Sequence, residues 1–89
     1  MPEGSGSSAG PVRWVVLYSR RACGLCDEAR EVVLRELGRT RFRLEEVLID
    51  GDPALERAYG ERVPVVAVDG VERFEYRVDP VRFREVLRG

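Results

Sequence analysis

The sequence predicts an α/β domain: a four-stranded mixed sheet flanked by helices, in the order β-α-β-α-β-β-α. Three observations predict it. Apolar, β-branched runs alternate with segments whose apolar residues recur at three- and four-residue steps. Asp-Pro pairs stand where two of the helices should begin, at Asp52-Pro53 and Asp79-Pro80. An Asp69-Gly70 pair separates the last two strand-like runs. Strands joined through helices should lie parallel, and strands joined by a two-residue turn must be antiparallel, so the sheet is mixed.

The first strand spans Trp14 to Tyr18, where Val15-Val16-Leu17-Tyr18 is the continuous apolar run of a central strand covered on both faces. In the helix that follows Cys23, Cys26, Ala29, Val32, Val33 and Leu37 form the apolar face, with Asp27, Glu28, Arg30, Glu31 and Arg35 opposite. Gly38 supplies the stop. The stretch from Phe42 to Asp50 alternates through Phe42 and Leu44 and then runs Val47-Leu48-Ile49, which leaves the inward face ambiguous at Glu45 and Glu46. A bulge there, or a strand that starts late, would resolve it.

Asp52 caps a short helix with Pro53 in its first turn, Leu55, Ala58 and Tyr59 as its buried face and Gly60 at its end. Val63-Pro64-Val65-Val66-Ala67-Val68 is the third strand. On the returning strand Phe74, Tyr76 and Val78 face one way and Arg73, Glu75 and Arg77 the other, a polar row suited to a sheet edge. Asp79-Pro80 opens a last helix that turns Phe83, Val86 and Leu87 inward.

At 89 residues the chain has room for one modest core, and nothing suggests a second module. Hydrophobic residues make up 44% and charged residues 35%, with net charge -1, so no global field draws it to nucleic acid or an anionic membrane. All 15 cations are arginine, and lysine, histidine, asparagine and glutamine are absent, a bias expected of a GC-rich genome or of heat adaptation. Residues 1–11, dominated by glycine and serine, read as a flexible leader to a domain at residues 12–89. They lack the basic start and apolar run of a signal peptide, and no segment has the length to span a bilayer. The expected setting is the cytoplasm, where thiols stay reduced and a lone cysteine pair is catalytic more often than structural. A monomer is expected.

The chemistry is carried by Cys23-Gly24-Leu25-Cys26, at the junction of the first strand and helix, which holds the only two cysteines. A disulfide needs Cβ atoms about 3.5–4.5 Å apart, whereas residues three apart within a helix stand about 5–6 Å apart. Cys23 must therefore sit at the helix cap. There it meets the unpaired amide donors of the first turn and the positive end of the helix dipole, which favour thiolate, so its pKa should fall below the ordinary value of about 8.5. Arg20 and Arg21 add cationic support, while Asp27 and Glu28 oppose it. Cys26, in register with Ala29 and Val33, belongs to the buried face. Cys23 thus reads as nucleophile and Cys26 as the residue that resolves a mixed disulfide.

Other readings of the pair remain open. As a structural staple so short a loop contributes only about 2 kcal/mol. As half of a zinc site it lacks further Cys or His ligands in this chain. The fold could also serve as a peptide-binding module with incidental thiols, or carry a metal or iron-sulfur cluster on Cys23 in a dimer.

Tyr18-Ser19-Arg20 leading into Cys23-Gly24-Leu25-Cys26, with Val63-Pro64 ahead of a strand and an Asp-Gly hairpin, resembles a small glutaredoxin-like protein of the thioredoxin superfamily. The resemblance covers Trp14 to Arg88. It implies a thioredoxin-like, glutaredoxin-type fold and a dithiol-disulfide oxidoreductase that acts on protein disulfides or low-molecular-weight mixed disulfides. No bound cofactor or metal is implied, and the electrons would come from glutathione or a thioredoxin-type reductase. The resemblance also implies a cis bond at Val63-Pro64, with the main chain of Val63 available to a substrate. Arg20 matches the basic residue near the thiolate, and Arg62, just before Val-Pro, is either a carboxylate-binding group or a solvated charge. Gly24-Leu25 replaces the Pro-Tyr usual between the cysteines. Tyr76-Arg77-Val78-Asp79 stands where glutaredoxins carry a Gly-Gly turn and an acidic residue.

Overall fold

The computed structural model describes residues 12–89, so the expected leader at residues 1–11 lies outside the described residues. Seven elements follow in the predicted order: β1 (Arg13–Ser19), α1 (Gly24–Leu37), β2 (Phe42–Leu48), α2 (Pro53–Tyr59), β3 (Val65–Val68), β4 (Val71–Glu75) and α3 (Pro80–Arg88). The strands form one sheet in the order β2-β1-β3-β4. β1 runs parallel to β2 and antiparallel to β3, and β3 is antiparallel to β4. The crossover through α1 makes the first pair parallel and the hairpin makes the last pair antiparallel, as the connection lengths require.

Asp69 and Gly70 turn the hairpin with φ of 52° and 84°, the doubly left-handed geometry that matches strand twist. A register shift between Val66 and Ala67 bulges the β3–β4 pair. β2, by contrast, pairs with β1 without interruption from Phe42 to Leu48. Neither a bulge nor a late start is therefore needed at Glu45 and Glu46. Glu46 faces α1, where Arg30 and the hydroxyl of the fully buried Ser19 both donate to its carboxylate.

The main core lies between the sheet and the pair α1 and α3. Val15, Leu17, Phe42, Val66 and Val68 meet Ala29, Val33, Phe83 and Leu87 there, joined by Val78 from the β4–α3 connection. Phe83 is completely buried, with edge-on contacts to Phe42 and Phe74 at centroid distances of 5.8 and 6.0 Å. A second, smaller cluster joins Cys26, Ile49 and Val63, with Tyr18, Cys23, Leu55 and Tyr59 packed against it. Asp52 caps α2 by accepting from the amides of Ala54 and Leu55. Leu55 and Tyr59 turn inward as expected, but Ala58 is exposed, because a helix of 7 residues has room for only one inward stripe.

Two further expectations are corrected. Leu37 is 36% exposed, and Glu36 takes the inward place at the end of α1 with 4% of its surface accessible. Its carboxylate accepts from the Thr40 hydroxyl and from Arg84 of α3. Burial alone would raise the Glu36 pKa, yet these donors hold it below the usual carboxylate range. A depressed carboxylate stabilises the fold above its unfolded pKa, and that contribution disappears as pH falls through the folded value. Tyr76, expected to share one face of the returning strand with Phe74 and Val78, lies beyond the end of β4 with φ of 69° and is exposed.

Candidate functional site

Cys23 is the N-cap of α1, with extended backbone angles of φ -124° and ψ 106°. Ala22 ahead of it has φ of 53°, a left-handed kink that turns the chain from strand to helix. The cap geometry leaves the first amides of the helix without intrahelical partners, and Cys23 Sγ accepts from one of them, the Cys26 N–H, at 3.1 Å. The two cysteines are joined as a disulfide, with Cα atoms 5.2 Å apart. Cys23 is partly exposed, whereas Cys26 is completely buried, in the register with Ala29 and Val33 that periodicity indicated.

The Val63-Pro64 peptide is cis. Val63 shares the small cluster with both cysteines, so the turn and the thiol pair are neighbours. The Val63 amide donates to the Tyr59 carbonyl at 3.1 Å, and the Pro64 carbonyl accepts from the Tyr76 amide at 2.9 Å.

The arginines divide between different tasks. Arg20 donates to the Gly60 carbonyl at 3.0 Å, tying the loop before Cys23 to the end of α2. The Arg21 backbone amide donates to Asp50, and its side chain is exposed. Arg62 bridges to Glu72 and Glu75 on β4, donates to the Ala58 carbonyl and lies 5.4 Å from the Tyr59 ring centroid. Its hydrogen bonds to Glu72, then to Glu75, push its pKa upward. The structure thus brings Cys23, Cys26 and Val63 together, places Arg20 and Arg21 in the loop leading to them, and pairs Arg62, in the loop before β3, with Glu72 and Glu75 on the β4 edge.

Sequence reading gave no site role to two further groups. Tyr18 and Tyr59 stack with centroids 4.1 Å apart under the second cluster, and burial, then the Tyr18 neighbour, raises the Tyr59 pKa. Arg30, four residues past Cys26, binds both Asp27 and Glu46 and fixes α1 to β2. The Glu46 hydrogen bond is the main reason its pKa rises, and Arg30 in turn lowers that of Glu46. The i,i+3 spacing of Asp27 and Arg30 was visible in the sequence, but the partner on β2 depended on the register of that strand. Among the described residues no group of three or more His, Cys, Asp or Glu side chains gathers for a metal. No helix of the described residues is long and apolar enough to cross a membrane.

A strand, a capping cysteine, a buried partner three residues on and an adjoining cis proline make an arrangement compatible with redox chemistry. The family model of the glutaredoxin-like domain (DUF836) matches residues 14–88. An uncharacterised protein of Mycobacterium tuberculosis is 31% identical over 75 residues, covering 79% of this chain and 77% of its own. The crystal structure of the X. campestris protein XcR50 superposes with a TM-score of 0.70 at 36% identity, covering 83% of this chain and 95% of that one. A thioredoxin from Halobacterium salinarum, at 23% identity, has the same fold with a TM-score of 0.65, covering 85% of this chain and 72% of its own. These matches place the chain, with its thioredoxin-like fold, in the glutaredoxin-like domain family.

Proposed function

We propose that the protein is a dithiol-disulfide oxidoreductase that reduces disulfides of proteins or of low-molecular-weight thiols. One observation carries the reading: Cys23 is reachable at the start of α1 while its partner Cys26 is fully enclosed behind it. The Cys26 amide that donates to Cys23 Sγ in the oxidised state would stabilise a thiolate there after reduction, and the helix dipole acts in the same sense.

In the reduced protein the Cys23 thiolate attacks one sulfur of the substrate. The substrate S–S bond breaks, the first half leaves as thiolate and takes a proton from water, and a mixed disulfide remains on Cys23. Cys26 then loses its proton to solvent and attacks Cys23 Sγ. The second half leaves as thiolate and is protonated in turn. The substrate has gained two electrons and two protons, and the protein ends as the Cys23–Cys26 disulfide. No side chain among the described residues is an evident general acid, since histidine is absent from the sequence. A low-molecular-weight thiol such as glutathione, or a thioredoxin-type reductase, restores the dithiol, and no bound cofactor is required.

Arg20 and Arg21 add positive potential on the approach to Cys23, and the Val63 carbonyl is the main-chain group beside the pair for an extended substrate, its amide being bonded to Tyr59. Arg62, neutralised by two carboxylates, contributes through the sheet edge. The protein acts as a cytoplasmic monomer in this reading.

The test is the Cys26→Ala variant. Reduced and mixed with a disulfide substrate, it should accumulate a one-to-one mixed disulfide on Cys23, seen by intact mass and reversed by dithiothreitol. Failure to form any adduct, with Cys23 free, would remove the reading.

A further inference from the structure

Between β1 and the capping cysteine the chain turns abruptly through Arg20, Arg21 and Ala22. Ala22 has φ of 53°, in the left-handed region that a residue with a Cβ enters only at some cost, and it is exposed, so packing does not fix it there. The extended Cys23 that follows is seated as N-cap by that turn. While the disulfide is closed, the bond to the fully buried Cys26 also holds Cys23 in place. Reduction removes that restraint, in the state in which Cys23 must react.

We propose that Asp50 is a positioning residue for the reduced site: by accepting from the Arg21 amide it holds the turn at Ala22 and so keeps Cys23 at the cap of α1 when the disulfide is open. Its consequence for turnover rests on the oxidoreductase reading, whereas the clamp itself is measurable without a substrate.

The Arg21 N–H donates to Asp50 Oδ1 at 3.1 Å, one residue ahead of the left-handed turn, and fixes the peptide plane that enters it. Asp50 is firmly mounted. Ile49 before it is completely buried in the cluster that contains Cys26, and the Ile49 amide donates to the Ser19 carbonyl at 2.9 Å. After it, the Asp52 amide donates back to the Ile49 carbonyl at 3.1 Å and closes a turn around Asp50. The acceptor thus stands on a frame made of the end of β1 and the small cluster behind the thiols. The other tie on the loop, from the Arg20 guanidinium to the Gly60 carbonyl, runs through a long exposed side chain and grips the loop further from Ala22.

Asp50 has two effects of opposite sign on Cys23. As an acceptor it orders the loop and presents Sγ to the free amides at the start of α1, which favours thiolate. As a carboxylate beside that loop it adds negative potential, which disfavours thiolate. Asparagine keeps the acceptor oxygen and discards the charge, and alanine discards both, so the two substitutions separate position from charge.

The experiment compares wild type, Asp50→Asn and Asp50→Ala in both redox states. The cap is read at the Asp27 amide, which donates to the Cys23 carbonyl at 3.0 Å and does not touch Asp50. In the reduced state Asp50→Ala should exchange this amide about tenfold faster than wild type. Its iodoacetamide profile for Cys23 should move up by about one pH unit, a factor of about ten in the thiolate equilibrium. Its kcat/KM for insulin reduction, with dithiothreitol as electron source, should fall in proportion to the thiolate lost. In the oxidised state the same variant should match wild type in Asp27 exchange and melting temperature, because the bridge holds the cap. Asp50→Asn should keep the wild-type exchange in the reduced state, with an alkylation profile at or below that of wild type. The proposal is overturned by an alanine variant whose reduced-state exchange and alkylation match wild type, or whose profile moves down. An asparagine variant as loose as the alanine variant overturns it too, as does loosening of equal size in both redox states, which would make Asp50 a general support of the fold. A wild type inert towards insulin defeats the oxidoreductase reading, while exchange and alkylation still decide the clamp.

Discussion

Cys23→Ala is expected to lower insulin reduction by about 10³-fold or more, because the step that breaks the substrate bond has no substitute nucleophile. Cys26 is the only other thiol, and complete burial keeps its sulfur from an incoming disulfide. The variant should still fold. Its altered side chain is partly exposed, and losing a bridge across so short a loop costs only about 2 kcal/mol on the chain-entropy estimate. A coupled assay with dithiothreitol reads the loss, and a far-ultraviolet circular dichroism spectrum matching the wild type separates lost chemistry from lost structure. A folded alanine variant that retained most of the rate would show that Cys23 does not carry the reaction.

Phe83→Ala should remove about 3–5 kcal/mol of stability, the range for a large aromatic truncated in a close-packed core. Phe83 has no accessible surface and sits between Phe42 on β2 and Phe74 on β4, so its ring ties α3 to both outer strands of the sheet. A domain of this size has about 5–15 kcal/mol in total, so the substitution takes a large share of the margin. Urea unfolding should show the midpoint falling steeply with little change in slope. A loss below about 1 kcal/mol would mean that the core collapses around the site far more readily than three interlocked rings allow.

Where local chemistry dictates structure, the sequence was informative. The two Asp-Pro helix starts, the Asp69-Gly70 turn, the capping position of Cys23 and the buried register of Cys26 each follow from a few neighbouring residues, and each is found in the structure. The cis peptide at Val63-Pro64 came from family resemblance, not from any local pattern.

What could not be read depends on partners distant in the chain. Glu36 and Leu37 lie three and four residues past Val33, so helical spacing admits either to the inner face. Apolarity favoured Leu37, but Arg84 of α3 and Thr40 together satisfy a buried carboxylate, and Glu36 holds the place. Glu46 was ambiguous for a related reason, since its orientation is decided by the register with β1 and by Arg30 on a different element. At Tyr76 the period-two alternation was carried past the end of the strand. A single left-handed residue breaks that period, and only Gly or Asn would have announced it in the sequence.

The proposed reaction requires a thiolate at the mouth of α1 after reduction, with its partner enclosed behind, and the pH dependence of Cys23 alkylation tests that most directly. In the reduced protein, the rate of iodoacetamide modification should rise through an apparent pKa below the ordinary thiol value of about 8.5, with Cys26 unreactive across the same range. A Cys23 that titrates at or above that value, or a Cys26 that is alkylated as fast, would contradict the account.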